Sequence, residues 1–595
     1  MKEGYSTEVR ASVLTETFKE IEELIRKFAL LNAVKHGGKA QTGPVIGKIL
    51  AERPELRMKV KEIAALVDRV VNEVNSLPLS EQRRVVEENW PEALVREKVE
   101  EEKKPPPLPN ADKYHKIVTR FSPNPDCVLH LGSARAVILC YEYARMYHGK
   151  FILRFEDTDP KLKRPVLEFY DSIREDLAWL GCKPDEEYIQ SDRIPVYYEY
   201  AEKLIANSNA YVCTCKPQIF RERILAQKPC PCRDLPPENH MERWQRMLSG
   251  EYDEGEAVVR IKTDLSHPNP AVRDWPALRI IDTEKFPHPR VGSKYRVWPL
   301  YNFACGLDDY LMGVTHIIRG KEHLTNMIRQ EYMYRHLGWK YPEAIHYGRL
   351  KIIGAHLSKS KIVQGVRGGL YRGWDDPRLA TFAALRKRGI TPTAIKRLII
   401  DVGPKASDVV LSWENLYAYN RKILDPEVNR YFFVQNPIQL AVHALPKTFT
   451  ARIRLHPEHP ERGFREYTIK TSENGSALFW ISRDDLKNLA VGKVVRLMEL
   501  FNIKIKNVET YAVEASYLSE AYEDAKRMGA PLIHWVSIGD DVPCQVVMPN
   551  AETIDGIAEK ACKNLKPNDM VQFERFGFVR IDMVDGKILA YFAHK

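Results

Sequence analysis

The sequence has few cysteines and no long apolar run. Ten cysteines in 595 residues are too few for a disulfide-stabilised secreted scaffold. No stretch reaches the roughly 18 consecutive apolar residues of a membrane-spanning helix. The segment Met1–Arg10 also lacks the apolar core and the small-residue cleavage site of a secretory signal. We therefore expect a cytoplasmic protein that does not enter a membrane.

Glycine, proline and charge of one sign are not in excess either. With 31 Gly and 38 Pro, and with 44% hydrophobic and 29% charged residues, the composition excludes collagen-like, low-complexity and disordered chains. Lys and Arg number 90 against 80 Asp and Glu, a net charge of +10, which suits a polyanionic partner without identifying one. The length allows about four domains at roughly 150 residues each.

Residues 1–104 are predicted to form a helical N-terminal domain. Apolar residues recur every three or four positions, as in the series Val60, Ile63, Val67, Val70 and Val74. Gly37 and Gly38 are expected to end the first helix. A charged run from Arg96 to Lys104 then meets four prolines within 105–109, which can hold neither a helix nor a central strand. A domain boundary is predicted there.

A strand–helix–strand pattern begins after this boundary. Ile117–Phe121 and Phe151–Phe155 are short and apolar, and Ser133–His148 between them is amphipathic. This spacing predicts a βαβ unit with parallel strands and a right-handed crossover. Alternating helices and strands continue to about residue 345, followed by predicted helices over 376–388 and 392–402.

From about Pro426 the pattern changes to short runs rich in Val, Ile, Phe and Tyr. Asp585-Gly586 between the last two runs is a hairpin signal. These features predict an all-β, barrel-like C-terminal region. The predicted strands are Ala451–Leu455, Glu466–Ile469, Val494–Leu497, Gln545–Met548, Phe576–Ile581 and Ile588–Ala593.

The segment His130-Leu-Gly132-Ser133 lies where the first predicted strand gives way to a helix. In a parallel sheet this edge binds ligands. Gly132 allows a nucleotide to approach the backbone, and the helix start near Ser133 offers N–H groups and a positive dipole to phosphate. His130 can donate to a phosphoryl oxygen. On this segment alone, a proline-rich loop with a structural histidine is an equal alternative.

A second segment, Ser358-Lys359-Ser360, lies in a polar loop between Gly354 and Gly365. Its lysine and hydroxyls can bind a triphosphate, although an isolated cluster of this kind is more often a solvated loop. The two segments together, in this order and at this separation, resemble the HIGH and KMSKS signatures of class I aminoacyl-tRNA synthetases. Ser133 replaces the second His of the first signature, and His356 and Leu357 replace two residues of the second.

Further motifs narrow the resemblance to the glutamyl/glutaminyl subfamily, in its archaeal glutamyl form. The β-rich C-terminus fits this form, whereas bacterial members end in a helical region. These motifs are Arg120-Phe-Ser-Pro-Asn-Pro125, Leu153-Arg-Phe-Glu156-Asp-Thr-Asp-Pro160, Gly313-Val-Thr-His-Ile-Ile-Arg319-Gly320 and Gly373-Trp-Asp-Asp-Pro-Arg378, with Asn32-Ala-Val-Lys-His-Gly-Gly38 near the N-terminus.

The resemblance implies a multidomain α/β fold with four parts. A Rossmann-like catalytic domain occupies 105–345 and contains an inserted region, at about 205–290, for the tRNA acceptor end and a zinc arm. Residues 346–425 carry the KMSKS-like loop and a helical region that contacts the tRNA stem. Residues 426–595 form a β-barrel anticodon-binding region, and 1–104 form the helical N-terminal domain.

The resemblance also indicates which amino acid is the substrate, glutamate and not glutamine. Glutamate enzymes carry an arginine at the position of Arg319, where glutamine enzymes carry a neutral residue. A guanidinium can hold the side-chain carboxylate bidentately. Arg120 and Glu156 match positions that contact a carboxylate and the ammonium of the amino acid, and Tyr301 shapes the pocket wall. Cys305 stands where some bacterial relatives have Asn. The alternative for Arg319 is a surface ion pair.

Four cysteines form two close pairs, Cys213-Thr-Cys215 and Cys230-Pro-Cys232. Four thiolates suit a closed tetrahedral Zn²⁺ site, although one intervening residue is tighter than the usual spacing of ligand pairs. Members of the resembled family with a Cys-x-Cys arm support a structural zinc. Free thiols, in a lineage that lost the metal, are the alternative.

The implied activity is ATP-dependent attachment of L-glutamate to tRNA(Glu) through a glutamyl-adenylate. His130 and Lys359 would act on the phosphates of ATP, with Gly132, Ser133, Ser358 and Ser360 around them and Mg²⁺ bridging the phosphates. Two alternatives are a glutaminyl-tRNA synthetase and an inactive tRNA-binding paralogue. Charging of tRNA(Gln) is left open, and a monomer is expected.

Overall fold

The computed structural model describes residues 5–53, 56, 60–90, 103–354 and 358–595. The chain divides into two compact units, Met1–Lys103 and Lys104–Lys595. The charged run before residue 103, and the replacements His356 and Leu357, lie outside the described residues. No helix in the described ranges has both the length and the apolar character needed to cross a bilayer.

The first unit is helical, as predicted. Val67, Val70 and Val74 of the predicted apolar series are fully buried, because their spacing places them on one helix face. The first helix ends at Lys35, and Gly37 and Gly38 follow with φ of +67° and +99°. The helices described in this unit are Tyr5–Lys35, Thr42–Glu52, Val60–Ser76 and Leu79–Asn89.

The second unit begins with the predicted βαβ unit. Strands Val118–Phe121 and Lys150–Phe155 pair in parallel across the helix Leu131–Met146, and Glu186–Ile189 continues the sheet. A second parallel pair, His316–Gly320 with Glu343–Tyr347, lies beside the first strand, where the N–H of Thr315 donates to the carbonyl of Val118 at 3.0 Å. The carboxyl ends of these strands therefore meet at one edge of a Rossmann-like core.

The catalytic part contains further strands and helices around this core. Ala210–Cys213, Val258–Ile261, Pro276–Ile280 and Val297–Pro299 form an antiparallel sheet, and Leu350–Ile352 pairs in parallel with Val409–Leu411. The other helices are Leu167–Trp179, Ile194–Ala206, Pro217–Leu225, Pro237–Ser249, Tyr301–Leu311, Leu324–Leu337, Lys359–Arg367, Phe382–Arg388, Pro392–Val402 and Trp413–Leu424. Short 3₁₀ turns span Ala111–Lys113, Gln190–Arg193 and Lys321–His323.

One predicted helix starts later than expected. The sequence predicts a helix from Asp376, but the helix begins at Phe382. The Asp376 carboxylate accepts from the backbone N–H groups of Arg372 and Arg378, at 2.9 and 3.1 Å. These bonds stabilise a turn in place of the first helical turn, and Thr381 then caps the helix by accepting from the N–H of Ala384 at 3.1 Å.

The C-terminal region is all-β except for short helical segments. The predicted hairpin turns at Gly586, where φ is +63° and Asp585 pairs with Lys587. One seven-stranded barrel-like sheet has the order Asn429–Tyr431, Met570–Phe573, Gly577–Asp585, Lys587–His594, Asp541–Val547, Thr553–Glu559 and Phe433–Gln435. A second has the order Leu532–Ile533, Val494–Leu497, Asn502–Val508, Ala512–Ser519, Pro437–His443, Ala477–Ser482 and Val536–Ser537. Thr450–Arg454 pairs with Phe464–Thr468, and the helical segments are Pro460–Arg462, Arg483–Asn488, Tyr522–Arg527 and Lys560–Asn564.

Candidate active site

The helix after the first strand begins at Leu131, two residues before the predicted start. His130 is its N-cap, and the imidazole Nδ1 accepts from the N–H of Gly132 at 3.0 Å. This bond satisfies one of the N–H groups that a helix start leaves without a partner. The predicted phosphate-binding helix start therefore includes His130 itself.

The protonation state of His130 follows from its surroundings. Burial and the positive charge of Lys359 lower the pKa of His130 to about 4, so the ring is neutral near pH 7. Because Nδ1 accepts from Gly132, the single ring proton is on Nε2. Nε2 is then the atom of His130 that can donate to a ligand.

Lys359 joins the two signature segments. It begins the helix Lys359–Arg367, and its Nζ lies 2.9 Å from Oδ1 of Asp126 and 3.5 Å from the carbonyl of Asn124. Both partners belong to the loop between the first strand and His130. The hydroxyls of Ser358 and Ser360 lie 3.1 Å apart beside it. Segments 233 residues apart in sequence therefore meet at one place.

A cavity of about 560 Å³ opens at this edge of the sheet. Its walls contain six of the predicted site residues: Arg120, Ser133, Glu156, Tyr301, Arg319 and Lys359. The other predicted ATP residues, His130, Gly132, Ser358 and Ser360, are not among the lining residues of this cavity. The structure thus brings the predicted amino-acid residues and the signature lysine to a common space.

Arg120 and Glu156 belong to a buried charge network. Asp309 accepts from Nε of Arg120 and from a terminal nitrogen of Arg154, each at 2.9 Å. Arg154 also donates to Glu156 at 3.1 Å and to the sulfur of Cys305 at 3.2 Å. Burial raises the pKa of Asp309, but the two guanidinium charges outweigh burial and lower it to about 2. Asp309 is therefore ionised and fixes both arginines.

Arg319 is buried among neutral partners. Its side chain donates to Tyr341 at 3.0 Å, to Gln330 at 3.2 Å, to Nε2 of His346 at 3.4 Å and to Tyr301 at 3.5 Å. No carboxylate oxygen of the described residues lies within 4.0 Å of its guanidinium. Burial and the charge of Arg319 lower the pKa of His346 to about 4, so His346 accepts as a neutral ring. The alternative of a surface ion pair does not fit this environment.

The buried arginines at this end of the cavity outnumber their carboxylate partners. Among the described residues, the carboxylates within 4.0 Å of the guanidinium groups of Arg120, Arg154 and Arg319 are those of Asp309 and Glu156. Asp308, the neighbour of Asp309 in sequence, is instead paired with Arg193 at 2.9 Å. An excess of one buried positive charge favours an anionic ligand.

The four cysteines of the predicted zinc site come together. The sulfurs of Cys213 and Cys230 are 3.8 Å apart, those of Cys215 and Cys232 are 3.6 Å apart, and all four lie within 4.8 Å of one another. Zn–S bonds of about 2.3 Å at tetrahedral angles place sulfurs roughly 3.8 Å apart. The cysteines are not disulfide-bonded, and the set fits a four-thiolate metal site.

Comparison with known proteins gives the family. Residues 116–426 match the family model "tRNA synthetases class I (E and Q), catalytic domain". The chain belongs to this class I synthetase family. Residues 428–519 and 532–582 match two anticodon-binding domain models of the same E and Q family, which confirms the predicted fold class.

Relatives that match over nearly the full length include glutamate–tRNA ligases of archaea. Glutamate–tRNA ligases of Pyrococcus abyssi and Pyrococcus furiosus are 55% and 54% identical, each over 97% of this chain and 100% of the relative. The ligase of Caldivirga maquilingensis is 47% identical over 96% and 99%. A solved glutamate tRNA ligase from Elizabethkingia meningosepticum is 23% identical and covers 53% of this chain and 71% of that one, with a TM-score of 0.39.

The candidate site also contains residues that the sequence did not predict. Three of these side chains orient predicted site residues. Asp309 contacts Arg120, which is 189 positions away in the sequence. Gln330 and Tyr341 contact Arg319, which is 11 and 22 positions away. Arg154 lies in the motif Leu153–Pro160 but is not among the predicted site residues. Its position two residues before Glu156, on the same strand face, was the available signal. For Asp309 the sequence offers no comparable signal.

Proposed function

We propose that the protein attaches L-glutamate to the 3′ end of tRNA(Glu), with ATP, through a glutamyl-adenylate. The observation that carries this proposal is the buried Arg319 guanidinium, which has only neutral partners in the described structure. A buried charge without a counter-charge is costly. A ligand that brings a carboxylate to this wall of the cavity therefore gains free energy that a neutral ligand does not.

In the proposed complex the side-chain carboxylate of glutamate binds Arg319. Glu156 binds the ammonium group, and Arg120 binds a carboxylate with the N–H groups that Asp309 leaves free. Tyr301, which already accepts from Arg319 at 3.5 Å, limits the length of the amino acid. Glutamine would leave Arg319 without a counter-charge, which disfavours the glutaminyl alternative.

The proposed chemistry needs no side-chain nucleophile. A carboxylate oxygen of glutamate attacks the α-phosphate of ATP in line and pyrophosphate leaves. The terminal ribose hydroxyl of the tRNA then takes the acyl group and AMP leaves. The protein contributes positioning and charge stabilisation: Nε2 of His130 and Nζ of Lys359 on the phosphates, and the N–H groups at Gly132 and Ser133. ATP enters as its Mg²⁺ complex. Ser358 and Ser360 orient the loop around Lys359.

The other parts of the chain are proposed to bind tRNA. The insertion at about 205–290 within the catalytic domain 105–345 would bind the acceptor end. Residues 346–425 would contact the stem, and residues 426–595 would bind the anticodon. Intact His130, Lys359 and Arg319 disfavour an inactive tRNA-binding paralogue. We expect the protein to act as a monomer in the cytoplasm, where its product is used.

The proposed activity is tested by ATP–pyrophosphate exchange with glutamate or glutamine, in the presence and absence of tRNA. We expect exchange with glutamate only, and only when tRNA is present. Exchange with glutamine at a similar rate would contradict the role of Arg319.

Substituting Gln330→Glu should neutralise the positive charge of Arg319, which selects glutamate in the proposed complex. A carboxylate would replace the amide oxygen that now accepts from Arg319 at 3.2 Å. We expect the KM for glutamate to rise about tenfold or more, since close buried charge pairs couple by about 1.5 kcal/mol or more, while the KM for ATP stays constant. The control is Gln330→Met, which has similar length and no charge. An equal rise in both variants would assign the effect to the loss of the amide group and not to charge.

We propose that the cluster of Cys213, Cys215, Cys230 and Cys232 holds a structural Zn²⁺. All four positions of a tetrahedral ion would be filled by protein, so the metal would stabilise this arm and would not meet substrate. Freshly purified protein should release about one zinc per chain on chelation or on thiol modification. Cys215→Ser should lower this content, whereas Cys182→Ser, a buried cysteine outside the cluster, should not. Metal analysis that finds no zinc in the purified protein would refute the site.

A further inference from the structure

The helical first unit concentrates its positive charge in one segment. Residues 1–103 contain 18 Lys and Arg against 19 Asp and Glu. Residues 24–51 nevertheless contain five Lys and Arg and no acidic residue. The rest of the unit therefore has an excess of acidic residues, and the basic residues of this segment stand apart from them. A basic segment in an otherwise acidic unit favours a polyanionic partner at that segment.

The centre of this segment is the connection between the first two helices. We call residues 35–41 the basic loop. Lys35, His36 and Lys39 are exposed in it. Among the described residues, no carboxylate oxygen lies within 4.0 Å of either lysine. Both lysines are therefore available to a ligand.

Amide side chains from three helices hold the backbone of the basic loop. Asn75 bonds to Ala40 twice: its Oδ1 accepts from the N–H at 2.6 Å, and its Nδ2 donates to the carbonyl at 3.1 Å. Asn32 accepts from the next N–H of the loop at 2.8 Å, and Nε2 of Gln82 donates to the carbonyl of Gly38 at 3.0 Å. Four backbone groups of an exposed loop are thus fixed by side chains. Because the loop is already ordered, a ligand that binds it has little backbone entropy to remove.

The helix that follows the basic loop has a bare surface. Gly43, Pro44, Gly47 and Lys48 of Thr42–Glu52 are exposed, and their spacing places them on one helix face. A Cβ at Gly43 or at Gly47 would meet nothing within 4 Å, so packing within the unit requires neither glycine. Glycine is also less favourable than alanine inside a helix. Glycines that the fold does not require, beside lysines without a counter-charge, are consistent with close approach of a ligand.

The chemistry of this surface suits nucleic acid better than protein. Protein interfaces are centred on buried apolar or aromatic side chains. Among the described residues of the first unit, the exposed large apolar side chain is that of Val60, which lies outside residues 24–51. The basic loop and the glycine face offer charge and an open backbone, which are the features that contact a sugar–phosphate chain.

We propose that the basic loop and the adjoining glycine face bind the sugar–phosphate backbone of tRNA. The inference rests on the proposed function, because it takes tRNA as the substrate, and it assigns a role to the first unit. Lys35 and Lys39 each neutralise a phosphate, and the glycines let the ribose–phosphate chain approach the helix. Backbone contacts carry no base information. The first unit therefore adds affinity for tRNA without selecting among tRNAs, and it takes no part in the chemical step.

The test compares tRNA binding by the full-length wild type and by the double variant Lys35→Gln/Lys39→Gln. The Kd for labelled tRNA(Glu) and for a non-cognate tRNA is measured by fluorescence anisotropy over a range of salt concentrations. We expect the Kd to rise about tenfold near physiological salt, by the same factor for both tRNAs. The slope of log Kd against log salt should fall by about 2, one for each lost phosphate contact. The kcat for glutamylation at saturating tRNA should equal that of the wild type.

The matched control is Arg69→Gln/Arg84→Gln, which removes the same charge from the same unit. These arginines are already paired with Glu22 and Glu81, at 2.9 and 2.6 Å, so we expect a Kd within about twofold of the wild type.

Three results distinguish the possibilities. An unchanged Kd after Lys35→Gln/Lys39→Gln, which an acidic protein partner would also give, would overturn the inference while glutamylation persists. Weakening confined to tRNA(Glu) would likewise overturn it, because the contact would then read bases. Absence of glutamylation by the wild type would instead refute the proposed function.

Discussion

Arg319→Ala is expected to raise the KM for glutamate by roughly two to three and a half orders of magnitude. Removing one partner of a buried charge pair costs about 3–5 kcal/mol, and each 1.4 kcal/mol is about tenfold in affinity. The KM for ATP should change little, because Arg319 contacts Tyr341, Gln330 and His346 and none of the signature residues. Steady-state kinetics with each substrate varied in turn measures both constants.

The matched control for this substitution is Arg335→Ala. Arg335 is exposed on the helix Leu324–Leu337 that also carries Gln330, so its loss changes the net charge equally without touching the cavity. Its KM values should equal those of the wild type. Equal rises in the KM for glutamate and for ATP after Arg319→Ala would mean that Arg319 does not bind the substrate side chain.

Lys359→Ala should lower tRNA-dependent pyrophosphate exchange by about 10²–10³-fold. Loss of one preorganised donor to transition-state charge typically has this effect. The fold should remain intact, because the side chain is partly exposed and its ion pair with Asp126 is of the kind that contributes at most about 1 kcal/mol. Thermal unfolding checks the stability, and exchange kinetics checks the rate.

The control for this substitution is Arg367→Ala, which removes one positive charge from the helix that also carries Lys359. Arg367 is exposed at the far end of Lys359–Arg367, and its removal should leave the exchange rate unchanged. An unchanged rate after Lys359→Ala would exclude that lysine from the mechanism.

The sequence predicts the secondary structure of the core well because local patterns determine it. The apolar strands on either side of an amphipathic helix are found within a few residues of the expected positions, and so is the hairpin at Gly586. Errors occur where a side chain competes with the backbone pattern. His130 caps its helix two residues earlier than expected, and Asp376 holds a turn where a helix was expected.

The site is only partly predictable because its decisive contacts are distant in sequence. The signature segments and the Arg319 motif are local, so the sequence reveals them. The pairing of Asp309 with Arg120 and Arg154 spans 189 and 155 residues, and no local pattern encodes it. The neutral surroundings of Arg319 are likewise a tertiary property. Because of these surroundings, Arg319 is a buried positive charge that has only neutral partners among the described residues.

The central claim is tested most directly by aminoacylation of pure tRNA transcripts. Radiolabelled glutamate and glutamine are offered separately with tRNA(Glu) and with tRNA(Gln). We expect transfer of glutamate to tRNA(Glu) and no transfer of glutamine to either tRNA, whereas glutamate on tRNA(Gln) would decide only between a discriminating and a non-discriminating enzyme. Transfer of glutamine, or no transfer of glutamate to tRNA(Glu), would contradict the account.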